Sequence, residues 1–178
     1  MKLLIISDIH GSAYYAKQIQ DIFIRENADK IILLGDLYYN GPRNPLPKEY
    51  NPMEVAKILN SLKDKMEVVR GNCDAEVDEM ISEFKFQDHL LIEINGIKAY
   101  FTHGHKYNID KLPNEEMNIM IYGHFHTGFI TEKDGIIFAN PGSITLPKNN
   151  TKNSYLILDE EKIVLKDLDG DIIETKNT

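Results

Sequence analysis

MKLLIISDIHG, residues 1–11, is the stretch whose reading decides the fold. A short apolar run at residues 3–6, with Ile9 just beyond, is interrupted by Ser7-Asp8 and closed by His10-Gly11. A run of that length bounded by a glycine turn reads as a fully buried strand. Where it ends, Asp8 and His10 put a carboxylate and an imidazole two residues apart. Open α/β sheets bind ligands in the crevice beyond the carboxyl ends of their strands. Partners for this pair therefore belong at the ends of other strands.

Moving outward, residues 12–26 predict a helix, with Ser12 as N-cap and Ala16, Ile19, Ile22, Phe23 and Glu26 on one face. Residues 30–34 predict a second buried strand that runs into Gly35-Asp36. Residues 38–52 hold four of the chain's seven prolines and read as a loop, a length that is usually functional when it lacks structure of its own. Asn51-Pro52-Met53-Glu54 then opens a helix with an Asn cap, Pro at the first position and Glu at the third. Its core face is Val55, Ile58, Leu59 and Leu62. A third strand at 66–69 meets Arg70-Gly71-Asn72-Cys73-Asp74, and a short acidic helix is expected over 75–83. This β-α-β-α-β-α order predicts a parallel sheet.

Beyond His89, itself expected on a surface strand, the pattern changes. Residues 90–94 and 97–102 flank Asn95-Gly96, the preferred hairpin turn, and the second of them ends in His103-Gly104-His105. Residues 119–122 end in Gly123-His124-Phe125-His126, and 129–132 with 136–139 form another hairpin. Strands at 155–158, 163–168 and 172–174 close the chain, so the second half is expected to be mostly antiparallel. Neither a repeat nor a linker interrupts the sequence. One domain over 1–178 is expected, its two halves sharing a core.

The bulk composition narrows the function classes. With 178 residues, 42% apolar and 27% charged, the chain is an ordinary globular domain that needs no disulfide framework. Its single cysteine, Cys73, suits a reducing compartment. The apolar start is too short for a signal-peptide core, and no stretch approaches the ~20 apolar residues of a membrane span. A cytoplasmic location without membrane attachment is the expectation. A net charge of −8 argues against a polymeric nucleic acid partner, which draws on many Lys and Arg to neutralise phosphates.

The polar residues just past strand ends form one set: Asp8, His10, Asp36, Asn72, His103, His124 and His126. A lone histidine is more often a core or surface residue than a ligand, but clusters after successive strands point together to metal ligation. Seven donors are too many for one first-row metal with an open position and suit two metals ~3.5–4 Å apart that share a carboxylate. Mixed N and O donors favour manganese, nickel, iron, cobalt or zinc over magnesium or calcium, with manganese the leading expectation. Two divalent ions against two aspartates leave a local positive site in an acidic chain, selective for an anionic oxygen ligand such as phosphate. The same ions would lower the pKa of a bridging water from 15.7 toward ~7.

Asp8-x-His10, Gly35-Asp36, Gly71-Asn72-x-Asp74, His103-Gly104-His105 and Gly123-His124-x-His126 resemble, in order, the five motifs of the calcineurin-like metallophosphoesterases. Asn40 to Asn44 with Leu46-Pro47, Arg70 to Asp74, and Asn140-Pro141-Gly142-Ser143 are similar to the bacterial YfcE-type phosphodiesterases within that family. The resemblance implies a four-layer α/β/β/α sandwich, two mixed sheets flanked by helices, with a dimetal site at the sheet rims. It implies that Asp8, His10 and His126 hold one metal, that Asn72, His103 and His124 hold the other, and that Asp36 bridges them. The implied reaction is hydrolysis of a small phosphodiester by a hydroxide bridging the two metals. The alternatives are a phosphomonoesterase on the same site, or a non-catalytic interaction scaffold on this fold.

Asn72, Cys73 and His105 are the candidate catalytic residues. Many family members carry histidine at the position of Cys73, which is here either a general acid or a small packing residue. His105 and Arg43 are candidate phosphate contacts, and Asp74 is expected to orient a metal-binding histidine. A homodimer through the proline-rich loop or the acidic helix is a further expectation.

Overall fold

The computed structural model describes residues 1–178. The chain forms twelve strands: β1 (Leu3–Ile6), β2 (Lys30–Leu33), β3 (Met66–Val69), β4 (Phe86–Gln87), β5 (Leu90–Ile94), β6 (Ile97–Thr102), β7 (Ile119–Tyr122), β8 (Gly128–Lys133), β9 (Ile136–Pro141), β10 (Ser154–Leu158), β11 (Lys162–Asp167) and β12 (Ile172–Asn177). They build a seven-stranded sheet in the order β12-β11-β10-β1-β2-β3-β4 and a five-stranded sheet in the order β5-β6-β7-β9-β8. β1 to β4 pair in parallel, as the alternation of strands and helices predicts. The two-residue β4 has no signal in the sequence reading.

The second half departs from the expected antiparallel pattern at its centre. The β6–β7 and β7–β9 pairs are parallel. Residues 103–118 carry the chain back from the end of β6 to the start of β7, so that both strands end at one rim. The last three strands leave this sheet and join the first, where β10 lies antiparallel to β1.

Period-2 alternation divides each central strand between two faces. Leu3, Ile5, Ile32, Leu34 and Leu156 point toward the second sheet and pack with Phe101, Ile119, Ile121 and Ala139 from it. This layer joins the two halves of the chain. Leu4, Ile6, Ile31, Leu33 and Val68 point the other way, onto three helices. These are α1 (Ala13–Ala16), α2 (Gln18–Arg25) and α3 (Pro52–Ser61).

The helix expected over 12–26 is thus two pieces that break at Lys17. Ser12 caps the first, but its Oγ also donates to Lys48 O at 2.6 Å, tying the helix to the long loop. Asn51 caps α3 as expected, accepting from Glu54 N at 3.1 Å. Val55, Leu59 and Leu62 are buried beneath it, with Ile58 partly covered. The acidic helix expected over 75–83 is only a 3-10 turn at Glu76–Met80, with no buried residue to hold a longer one.

The outer face of the second sheet presents Tyr100, Met120, Tyr122 and Phe138. It is covered by Met117, Tyr107 and Ile109 of the 103–118 segment rather than by a helix. The expected α/β sandwich of two mixed sheets therefore forms, with an irregular segment as its fourth layer. His89 is exposed in the turn before β5, not on a strand, with its ring stacked 5.1 Å from Tyr100. No helix is long and apolar enough to cross a membrane.

One buried charge network locks α2 to the seven-stranded sheet. Glu26 is 6% exposed. It accepts hydrogen bonds from Tyr155 Oη at 2.6 Å and from Lys166 Nζ at 2.7 Å. Burial alone would raise its pKa; the bonds from Lys166 and Tyr155 overcome that and hold the carboxyl below its ordinary 4.5. A carboxyl lowered on folding contributes stability that is full above its unfolded pKa and is lost as pH falls through the folded one. Glu26→Gln is therefore expected to reduce stability at neutral pH and to flatten the decline of the urea midpoint from about pH 5 to about pH 3. An acid decline as steep as that of the wild type would contradict this role.

Candidate metal centre

The ends of β1 and β2 stay paired after regular strand geometry stops. Asp8 N donates to Gly35 O at 3.2 Å, His10 N to Asp36 O at 2.8 Å, and Gly11 N to Leu37 O at 2.9 Å. The two Asp-bearing loops are thereby held side by side. Asp8, His10, Asp36, His124 and His126 all have positive φ, between 50° and 66°. Non-glycine residues in that region cost on the order of 1 kcal/mol each and persist only where the surroundings determine them. Here the left-handed turn aims each side chain back across the sheet rim.

Three imidazoles are fixed by the same device. His10 Nδ1 donates to Tyr39 O at 2.8 Å, His103 Nδ1 to Leu34 O at 2.6 Å, and His126 Nδ1 to Leu146 O at 2.7 Å. A carbonyl only accepts, so each ring in its neutral form commits its one N–H outward and turns the Nε2 lone pair inward. His10 Nε2 and His126 Nε2 then face each other at 3.0 Å, and His103 Nε2 faces Asn72 Oδ1 at 3.0 Å. Asp8 Oδ1 lies 3.5 Å from His10 Nε2 and 3.2 Å from His126 Nε2. It is buried and accepts no hydrogen bond. Acceptors converging on acceptors are repulsive unless a cation stands among them, so this donor set fits a divalent metal.

Asp36 lies between the two groups. Its Oδ2 is 3.7 Å from His10 Nε2 and 3.5 Å from His103 Nε2, and its Oδ1 accepts Cys73 N at 2.8 Å. The His124 ring packs at 5.1 Å against His103. Burial, and then the positive His103, push its pKa down to about 4, leaving it neutral and able to act as a donor to metal. For His103 itself, burial opposes the charge, yet the Asp36 and Asp8 carboxylates outweigh it and push the pKa up to about 9; the proton this places on Nε2 is the one a bound cation would displace. The two carboxylates thus draw positive charge into the rim. The structure brings all seven predicted ligand residues to this one place.

The remaining site expectations fare differently. Cys73 lines the cleft, and burial together with Asp36 pushes its thiol up to about 12. Arg43 also lines the cleft, exposed on the 38–52 loop. His105 does not line it. The residue is exposed, with its ring 5.4 Å from that of His103 and 6.3 Å from that of His124, at the edge of the converging groups. Asp74 does not contact a histidine, contrary to expectation. Its carboxylate instead accepts the backbone N–H of Asp36 and Leu37 at 2.8 Å and of Gly71 at 2.7 Å, so it clamps the β2 and β3 loops. Burial pushes its pKa up to about 6 against the pull of those N–H groups.

Sequence reasoning missed several supports. Ser7 Oγ donates to Asp8 Oδ2 at 2.6 Å, and His124 N donates to the same oxygen at 3.0 Å. Asn140 Nδ2 donates to Gly123 O at 2.8 Å, and Ser143 Oγ to Asp8 O at 2.8 Å. The Asn140-Pro141-Gly142-Ser143 turn was the available signal. Phe125 and Lys148, both exposed on the cleft rim, carried none.

Residues 1–162 match the calcineurin-like phosphoesterase superfamily domain. Phosphodiesterase YfcE of Escherichia coli (strain K12) is 38% identical over 165 residues, 90% of this chain and 89% of that protein. Probable metallophosphoesterase YsnB of Bacillus subtilis (strain 168) is 33% identical, over 89% of this chain and 83% of its own. The solved structure of the E. coli phosphoesterase YfcE superposes with a TM-score of 0.94 at 35% identity, covering 99% of this chain and 98% of that one. The chain belongs to the calcineurin-like phosphoesterase superfamily, and its rim is that of a metal-dependent phosphoesterase.

The close packing behind Asp36 is testable. A Cβ on Gly71 would overlap the Asp36 side chain and backbone N. Gly71→Ala is expected to displace Asp36 and weaken manganese binding at least tenfold by isothermal titration, the scale seen when a metal ligand loses its outer support. Wild-type affinity in this variant would show that Asp36 is not held from behind.

Proposed function

We propose that this member of the superfamily is a phosphodiesterase that hydrolyses a small phosphodiester with two divalent cations at the rim. The observation that carries the reading is the pair of opposed acceptor groups flanking Asp36: Asp8, His10 and His126 on one side, His103 and Asn72 on the other. We assign one cation to Asp8, His10 and His126 and the second to Asn72, His103 and His124, with Asp36 shared and manganese the first choice. Bound there, divalent cations polarise phosphoryl oxygens and acidify water toward neutral pH.

The chain's own residues do the positioning. The carbonyl-anchored imidazoles keep their lone pairs aimed without reorganisation, and Asp36 is held in place by Cys73 N and, through its own N–H, by Asp74. Hydrolysis forms a bond from water oxygen to phosphorus, breaks the phosphorus bond to the leaving oxygen, and delivers a proton to that oxygen. Cys73, a protonated thiol facing the cleft beside Asp36, is the group that can hold that proton at Sγ. A weak acid of this kind assists a strongly basic alkoxide and gives little help to a stable phenolate.

Four measurements test the reading. Purified protein should bind two manganese ions per chain, and stripping them should abolish turnover of an activated aryl phosphodiester; no metal-dependent turnover with two metals bound would overturn it. Matched mono- and diesters decide between diesterase and monoesterase, with the diester expected to be faster. Asp36→Asn removes the shared carboxylate and should lose most bound metal by elemental analysis together with nearly all activity. Cys73→Ala should slow only diesters with poor leaving groups, and equal rates on every ester would return Cys73 to a packing role.

A further inference from the structure

The cleft above the rim is larger than a bare phosphodiester needs. It encloses about 420 Å³, within the range of pockets that hold whole organic ligands. Its charge is also opposite to that of the chain. The protein carries a net −8, yet the cleft lining sets Arg43 and Lys148 against a single carboxylate, Asp36. Neither cation is drawn into an ion pair, whereas ten other lysines and arginines are. The scissile phosphate would be neutralised at the metal ligands, so two free cations at the mouth call for a second anion on the same molecule.

Phe125 supplies the other half of the argument. It sits between His124 and His126 and is 45% exposed on the cleft wall. T-shaped contacts to His124 (5.2 Å, 80°) and Tyr122 (6.0 Å, 75°) hold the ring, and its N–H donates to Gly123 O at 2.7 Å. A fixed, half-open ring in an otherwise polar cleft is a stacking surface for a planar group. Aromatic–base stacking is favourable for every base and needs no hydrogen-bond readout.

We propose that the cleft takes a nucleotide ester, with its base stacked on Phe125 and a second phosphate met by Arg43 and Lys148. The inference rests on the phosphodiesterase reading above and names the substrate class for that site. A ligand of one or two nucleotides fits the cleft volume and the overall acidity of the chain.

Three esters with one leaving group test it on the manganese-loaded protein: methyl 4-nitrophenyl phosphate, thymidine 5′-(4-nitrophenyl phosphate), and the latter with a 3′-phosphate. kcat/KM should rise about tenfold at each step, a stacking contact and a charge-assisted contact each being of that size. Phe125→Ala should collapse the preference for nucleoside over methyl ester, while Phe125→Tyr keeps it. Arg43→Ala with Lys148→Ala should collapse only the preference for the 3′-phosphate. Titration calorimetry with thymidine 3′,5′-bisphosphate supplies a readout independent of turnover, and binding should weaken about tenfold in the Phe125→Ala and the paired cation variants. Equal kcat/KM for the three esters, or a bisphosphate affinity that none of the variants changes, would overturn the subsite. If no ester is turned over, the phosphodiesterase reading fails, and the bisphosphate titration still judges the subsite by itself.

Discussion

The structure depends on a constraint that folding alone does not reward: hydrogen-bond acceptors aimed at one another in a largely buried place. His10 and His126 face each other through bare Nε2 atoms, and the orphaned Asp8 Oδ1 lies beside both. An unsatisfied buried acceptor costs roughly 1–3 kcal/mol. Five of the seven converging residues also stand in left-handed backbone. Such strain clusters at functional sites, where it is offset elsewhere in the fold. The two apolar layers, one between the sheets and one beneath the helices, provide that offset and hold the strand ends rigid.

Rigidity at the rim is built from backbone capture more than from side-chain packing. The β1–β2 pairing continues through Gly11, Asp74 accepts three N–H groups from two loops, and Ser143 and Asn140 grip the carbonyls of Asp8 and Gly123. Where loops approach most closely, at Gly71 and Gly123, glycine is required by space rather than by dihedral. A Cβ on Gly123 would run into Ser7 and Asp8, the residues that open the site. The separate motifs along the chain thus form one interlocked object, since each ligand loop is gripped by a residue from another.

The sequence disclosed local geometry and hid long-range pairing. β1, β3, β5, β6 and β7 lie at the expected boundaries because their apolar runs are short and end at glycine or polar residues. The set of polar residues that meets at the rim was legible for the same reason: each member follows such a run. The parallel β6–β7–β9 centre was not, because the same strands could be read as hairpins until the 103–118 segment is seen to cross over. Nor was the return of β10 to β1, a pairing of residues more than 150 positions apart whose only local trace is apolar alternation. Asp74 was misassigned because its partners are backbone N–H groups, which any residue supplies. Lys17, where the first helix breaks, carries no sequence signal for a break, and nothing in its side chain explains one.

Chemistry and selectivity are divided unequally between rigid and irregular parts of the fold. The candidate metal-binding groups all follow strands, and Arg43 and Lys148 come from loops. Phe125 belongs to neither class. Placed between two residues in left-handed backbone, with its own N–H closed onto Gly123 O, it is positioned by the metal centre's scaffold without ligating metal. A side chain there can change freely in chemistry but hardly in location. Its backbone cannot move without moving His124 and His126. The proposed stacking group is therefore preorganised by the backbone that sets the candidate ligands, and Lys148 is tied to the same backbone through its N–H, which donates to His126 O at 2.9 Å, whereas Arg43 has only its loop to place it.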